Sequence, residues 1–192
     1  MSAERFARGR CVALIALTIV CSWYGMMLVH ELGHALHAVV SGGTVERSVW
    51  TPFAFSRTEV GRNPHPALVA WGGFVWGVLI PLAMVGAARL ARLPHGFLLR
   101  FFAGFCLIAN GAYLAAGAVA PVGDTEDLVR LGTPAWVLAA AGTPMVAGGL
   151  WMWNGLGRRF GPGGEAPRRG ALGAAAGAAL ALAAMMAAVN LV

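Results

Sequence analysis

The stretch CVALIALTIVCSWYGMMLVHELGHALHAVV, Cys11–Val40, is an apolar run that closes on three ionisable residues within five positions, His30, Glu31 and His34. A membrane-spanning helix needs about 20 apolar residues. This run exceeds that length, which leaves room to tilt or protrude. Arg5, Arg8 and Arg10 precede it as they would precede a secretory signal. No small-x-small cleavage site follows and the run continues into the charged motif, so it reads as a retained first membrane helix.

The rest of the chain has the same character. Of 192 residues, 58% are hydrophobic and 11% charged, with a mean hydropathy of +0.70, whereas a soluble domain has about 25% charged residues. The expected fold is an all-α polytopic membrane protein forming one domain over 1–192, and the same balance excludes a disordered chain, a disulfide scaffold and a nucleic-acid-binding domain. Five spans are expected: Cys11–Val40, Pro66–Leu90, Gly96–Val119, Pro134–Trp153 and Ala171–Val192. All 14 basic residues are Arg and flank the apolar runs, a pattern suited to anionic lipid headgroups and not to DNA. Cys11, Cys21 and Cys106 lie inside apolar segments without Cys-x-x-Cys spacing and read as buried thiols.

Between the first two spans the pattern changes. Ser41-Gly42-Gly43 terminates the helix, and Thr44–Arg62 mixes Val45, Val49, Trp50, Phe53, Phe55 and Val60 with polar residues around Pro52. This predicts a small β-hairpin or interfacial loop. Gly73 and Gly77, and again Gly173 and Gly177, have Gly-x-x-x-Gly spacing, for which close helix packing is expected. Gly155–Gly170, basic and glycine-rich, reads as a linker. Ten Arg lie in the N-terminal tail, the loop after the second span and the last loop, against four in the intervening loops. The N-terminus is therefore expected to be cytoplasmic, with the His30 motif towards the outer side.

On a helix, residues four apart lie about 40° apart and one turn along the axis, so His30 and His34 project from one face and can hold one ion. This is the spacing of His-Glu-x-x-His zinc sites, and Glu31 stands beside that face, where it can act as general base. Three ionisable groups near membrane depth also demand a partner. A catalytic site needs a third protein ligand. His95 lies on the opposite side, which leaves His65, Asp124, Glu126 and Asp127. Asp124, after the parallel third span, is preferred, with a helix-capping role as its rival. Glu126 lies in the same acidic stretch. His37 is nearly in line with His30 and suits hydrogen bonding. Asn110, inside the third span, is placed about 21 Å from Asp124 if the helix is continuous, and reads as an interhelical hydrogen bond.

The motif His30-Glu31-Leu32-Gly33-His34 closing the first span, followed by Ala35 and by Gly42-Gly43, resembles the site-2 protease family of intramembrane zinc metalloproteases, in its short bacterial form. That family pairs the motif with an Asp in a later parallel helix, often before Gly; Gly123-Asp124 is the counterpart, with Thr125 after the Asp. The resemblance covers roughly Leu28–Leu131. It implies a Zn²⁺-dependent endopeptidase of the cell (inner) membrane that cuts membrane-embedded or membrane-adjacent protein or peptide substrates. The family usually sets its zinc near the cytoplasmic face, opposite to the side the Arg count indicates.

In that reading His30, His34 and Asp124 hold the zinc and Glu31 moves the proton. The Thr44–Arg62 segment either lends a strand edge to an extended substrate, in which case proline at Phe53 and Phe55 abolishes cleavage with zinc retained, or is a plain connecting hairpin. The alternative function is a non-proteolytic zinc-binding membrane protein, a sensor or partner-binding module. A diiron oxidase fails for want of ligands, since the chain has five histidines and His65 and His95 lie on opposite sides. A transporter is disfavoured because no span besides the first has an internal acidic residue.

Overall fold

The computed structural model describes residues 3–49, 56–161 and 170–189. Helix α1 (Ala3–Val40) leads into the strands β1 (Val45–Val49) and β2 (Arg57–Val60). There follow α2 (Pro66–Leu90), α3 (Gly96–Gly117), α4 (Asp124–Arg130), α5 (Ala135–Trp153), α6 (Gly157–Phe160) and α7 (Ala171–Val189). Pro66 opens α2, where a missing N–H costs nothing because the first turn has no intrahelical acceptor for it.

Four helices are long and apolar enough to cross a membrane: α1 over Arg5–Val40, α2, α3 and α5. Their apolar outer faces have the composition that a bilayer solvates. Trp136 and Trp151 stand exposed near the two ends of α5, about 22 Å apart along the axis, as expected of residues that sit at opposite headgroup levels. The fifth expected span does form a helix, α7, but its described apolar stretch, Ala171–Met185, is shorter than a crossing. Among the described residues there are thus four candidate spans and not five.

The helices pack through small residues. A Cβ on Gly33 would overlap the Gly72 carbonyl, so α1 and α2 touch backbone to backbone beside the His30 motif. Gly77 faces the Asn110 side chain on α3. On α7 the spacing misleads: Gly173 and Gly177 meet nothing within 4 Å. Ala171 and Ala175 form the buried face instead, packed with Leu14 of α1, Leu156 and Phe160. Spacing alone does not fix which face of a helix turns inward. Phe160, within the expected linker, sits on α6 against Phe97 and Phe101, so the start of that segment belongs to the packed structure.

The expected hairpin is present. β1 and β2 are antiparallel, with Arg47 opposite Glu59, Ser48 opposite Thr58 and Val49 opposite Arg57, and a register shift between Val45 and Arg47. Trp50, Pro52, Phe53 and Phe55 lie outside the described residues. The hairpin stands beside α1 at the level of Glu31, where the Thr58 hydroxyl donates to the Glu31 carboxylate at 2.6 Å. Beyond α3 the chain turns back: Gly117 leaves room for the buried Thr125 against the end of α3, and α4 folds down beside α2 and α3.

Candidate metal centre

His30, Glu31 and His34 are all buried, and their ligand atoms lie within 4.8 Å of one another, close enough to hold a metal ion. The fold-back of α4 brings Asp124 to the same point. Its Oδ2 lies 3.0 Å from His30 Nε2 and 3.4 Å from His34 Nε2. Asp124 is the first residue of α4, while Gly123 occupies the capping position and no side chain caps this helix. The capping role weighed for Asp124 is therefore not the one it has.

The tautomers of both imidazoles follow from their other nitrogens. His34 Nδ1 lies 2.8 Å from the Val69 carbonyl, which can only accept, so this nitrogen carries the hydrogen. His30 Nδ1 lies 2.8 Å from Asn110 Oδ1, and the Asn110 amide Nδ2 donates to the Cys106 carbonyl at 2.9 Å, which leaves Oδ1 as the acceptor. In the neutral rings both Nε2 atoms then present bare lone pairs to a carboxylate oxygen. Three electron-rich atoms converging in this way require a cation among them, a proton or a metal. Partners on the outer nitrogen that fix ring orientation are the usual support of a histidine ligand.

A fourth wall closes the site. A Cβ on Gly73 of α2 would stand 2.5 Å from both His30 Nε2 and His34 Nε2. Only a glycine leaves that space open. Phe74, next in the chain, packs edge-on to His30 at 5.2 Å between ring centres. Burial acts to raise the pKa of Asp124, but when the imidazoles are protonated their hydrogen bonds and charge, from His30 and His34, outweigh it and hold the carboxyl well below the usual carboxylate range.

The site opens into a cavity of about 1190 Å³ lined from five sides, by Trp23 and Met27 of α1, Thr58 of β2, Val69 of α2, Tyr113 of α3 and Asp127 of α4 among others. Its volume exceeds the roughly 300–1,000 Å³ of small-molecule sites. Glu31 faces this cavity, one carboxylate oxygen held by Thr58.

The remaining sequence candidates fall elsewhere. His65 is exposed at the start of α2 and does not line the cavity. Asp127 lines it, with its carboxylate 3.6 Å from Arg130. Glu126 pairs with Arg130 at 2.6 Å. His37 hydrogen-bonds the Leu68 carbonyl at 2.7 Å and packs edge-on to Trp76, the hydrogen-bonding part expected of it. Asn110 does make an interhelical hydrogen bond, but the expected 21 Å separation from Asp124 does not apply. The helix is not continuous: α3 ends at Gly117 and the chain doubles back, so both residues approach His30. Tyr113, Thr58 and the Val69 carbonyl were not singled out from sequence, and Gly73 was read for helix packing alone; Tyr113 had a signal, as one of two tyrosines and a polar tip within an apolar span.

Comparison with protein-family models, with curated proteins and with solved structures gives no match.

Proposed function

We propose that this chain is a zinc-dependent intramembrane endopeptidase, as its resemblance to the site-2 protease family implies. The observation that carries the reading is the convergence of His30 Nε2, His34 Nε2 and Asp124 Oδ2, with both imidazoles oriented from behind. Donors sharing a four-coordinate zinc stand about 3.3–3.6 Å apart for bonds of about 2.0–2.2 Å. The separations of 3.0 and 3.4 Å lie close to that spacing. Two histidines and one carboxylate with an adjacent glutamate are also the donor set of hydrolytic zinc sites.

These three residues would hold the ion, which when bound polarises a carbonyl and lowers the pKa of a water towards ~7. The Glu31 carboxylate receives the proton of the attacking water and returns it to the leaving amine nitrogen. Thr58 holds Glu31 Oε2 and leaves the other carboxylate oxygen for that transfer. The cavity takes a segment of chain. β2, which lines it through Arg57, Thr58 and Val60, is placed to hold a substrate strand extended so that its amide bonds are accessible. Four helices long and apolar enough to cross a membrane support a reaction within the bilayer, with a membrane protein or peptide as the proposed substrate.

The test is Glu31→Gln in the purified full chain, reconstituted with a panel of single-span membrane peptides. Wild type cleaves, and the variant keeps its zinc and loses cleavage. Cleavage at the wild-type rate by the variant would refute the assignment.

A further inference from the structure

Asp124 is held in place from outside its own helix. The Tyr113 hydroxyl, on α3, donates to the Val122 carbonyl and accepts from the Asp124 backbone N–H, each at 3.0 Å. One oxygen therefore ties the chain on both sides of Gly123. That N–H belongs to the first turn of α4, where helix N–H groups have no intrahelical acceptor; the tyrosine supplies one. Gly123 turns at φ +53°, ψ −128°, a conformation open to glycine and strained for other residues. A Cβ there would also stand 2.5 Å from the Tyr113 oxygen. The bare glycine is what lets the hydroxyl reach both backbone groups.

Two further contacts brace the same turn. Thr125, fully buried, donates its hydroxyl to the Val122 carbonyl at 2.8 Å and accepts from the Val122 N–H at 3.0 Å. This gives the threonine after Asp124 a structural reason. The Tyr113 ring packs on Phe74 and on His30, with ring centres 5.4 and 6.4 Å apart. The ring thus rests against one metal-facing imidazole while the hydroxyl fixes the backbone of the carboxylate that faces it.

We propose that Tyr113 is a positioning residue of the metal centre, its hydroxyl fixing the Gly123 turn and so setting Asp124 Oδ2 against His30 and His34. This rests on Asp124 being the third ligand. Both hydrogen bonds of the hydroxyl go to backbone groups, of Val122 and Asp124. The hydroxyl acts by preorganising a ligand that arrives from 94 residues along the chain from His30.

The experiment uses the full chain in detergent and Zn²⁺ alone as probe, with affinity read by competition with a chromogenic chelator. Wild type, Tyr113→Phe, Asp124→Asn and the double variant are compared. Phenylalanine keeps the ring contacts and removes only the hydroxyl. Tyr113→Phe is expected to bind Zn²⁺ about 10- to 100-fold more weakly. The loss should vanish in the Asp124→Asn background, where there is no ligand left for the hydroxyl to place. Wild-type affinity in Tyr113→Phe beside weakened Asp124→Asn overturns the role of Tyr113 and leaves the ligand reading standing. An equal loss in both backgrounds shows a merely structural tyrosine and also overturns it. Wild-type affinity in Asp124→Asn overturns the ligand reading and this inference together.

Discussion

His30 Nε2 and Asp124 Oδ2 lie 3.0 Å apart although 94 residues separate them in the chain. In the neutral ring, with His30 Nδ1 committed to Asn110, neither atom has a hydrogen to offer the other. Their approach is the clearest sign of a cation seat, and what surrounds it can be probed residue by residue.

Gly73 is the most sensitive neighbour. An alanine methyl would stand 2.5 Å from both Nε2 atoms, in the space an ion would occupy. Gly73→Ala is expected to insert into membranes normally and to bind Zn²⁺ at least about 100-fold more weakly, the upper end of what supporting residues cost. Metal analysis of the purified variant, beside Gly86→Ala, whose added Cβ meets nothing within 4 Å, checks this.

Thr58 bears on proton transfer and not on the metal. Thr58→Val keeps the β-branched shape on β2 but removes the hydrogen bond to Glu31. A hydrogen bond to a charged group contributes about 1.5–3 kcal/mol, and about 1.4 kcal/mol is tenfold in rate. The expected result is a fall in kcat of about tenfold or more with zinc stoichiometry unchanged. Parallel turnover and metal measurements separate the two.

Asn110 supports His30. Asn110→Leu leaves the His30 Nδ1–H without its acceptor in a buried site. Zn²⁺ affinity should drop by about 10- to 100-fold, and the unsatisfied group should cost about 1–3 kcal/mol of stability. Chelator competition and thermal unfolding in detergent report the two effects.

Asp127 and His65 serve as the contrast. Asp127 faces Arg130 and His65 is exposed away from the cavity. Asp127→Asn and His65→Ala should each retain full zinc stoichiometry, whereas Asp124→Asn should not. Loss of zinc in either of the first two, by metal analysis, would move the third ligand.

How much of this was legible in the sequence depends on how far apart the partners lie. His30 and His34 were readable because helical periodicity alone sets them on one face. Four of the five expected spans coincide with helices long and apolar enough to cross a membrane, and the start of α2 at Pro66 matched the expected boundary. Asp124 could be proposed from the parallel course of the first and third spans. Its actual approach depends on the Gly123 turn and on Gly117 admitting Thr125, which no local pattern announces. The same fold-back defeated the estimate for Asn110. Val69, Thr58 and Tyr113 act through partners brought near by tertiary packing alone. On α7, glycine spacing pointed to a face that packing left open, because alanines one turn apart made the contact with α1 instead.

Two imidazoles and the Asp124 carboxylate are proposed to hold one metal ion. The direct measurement is elemental mass spectrometry of the purified full chain beside His34→Ala and Glu31→Gln. One zinc per chain is expected in wild type and in Glu31→Gln, and none in His34→Ala. A wild-type protein without stoichiometric zinc, or undiminished zinc in His34→Ala, would contradict this proposal.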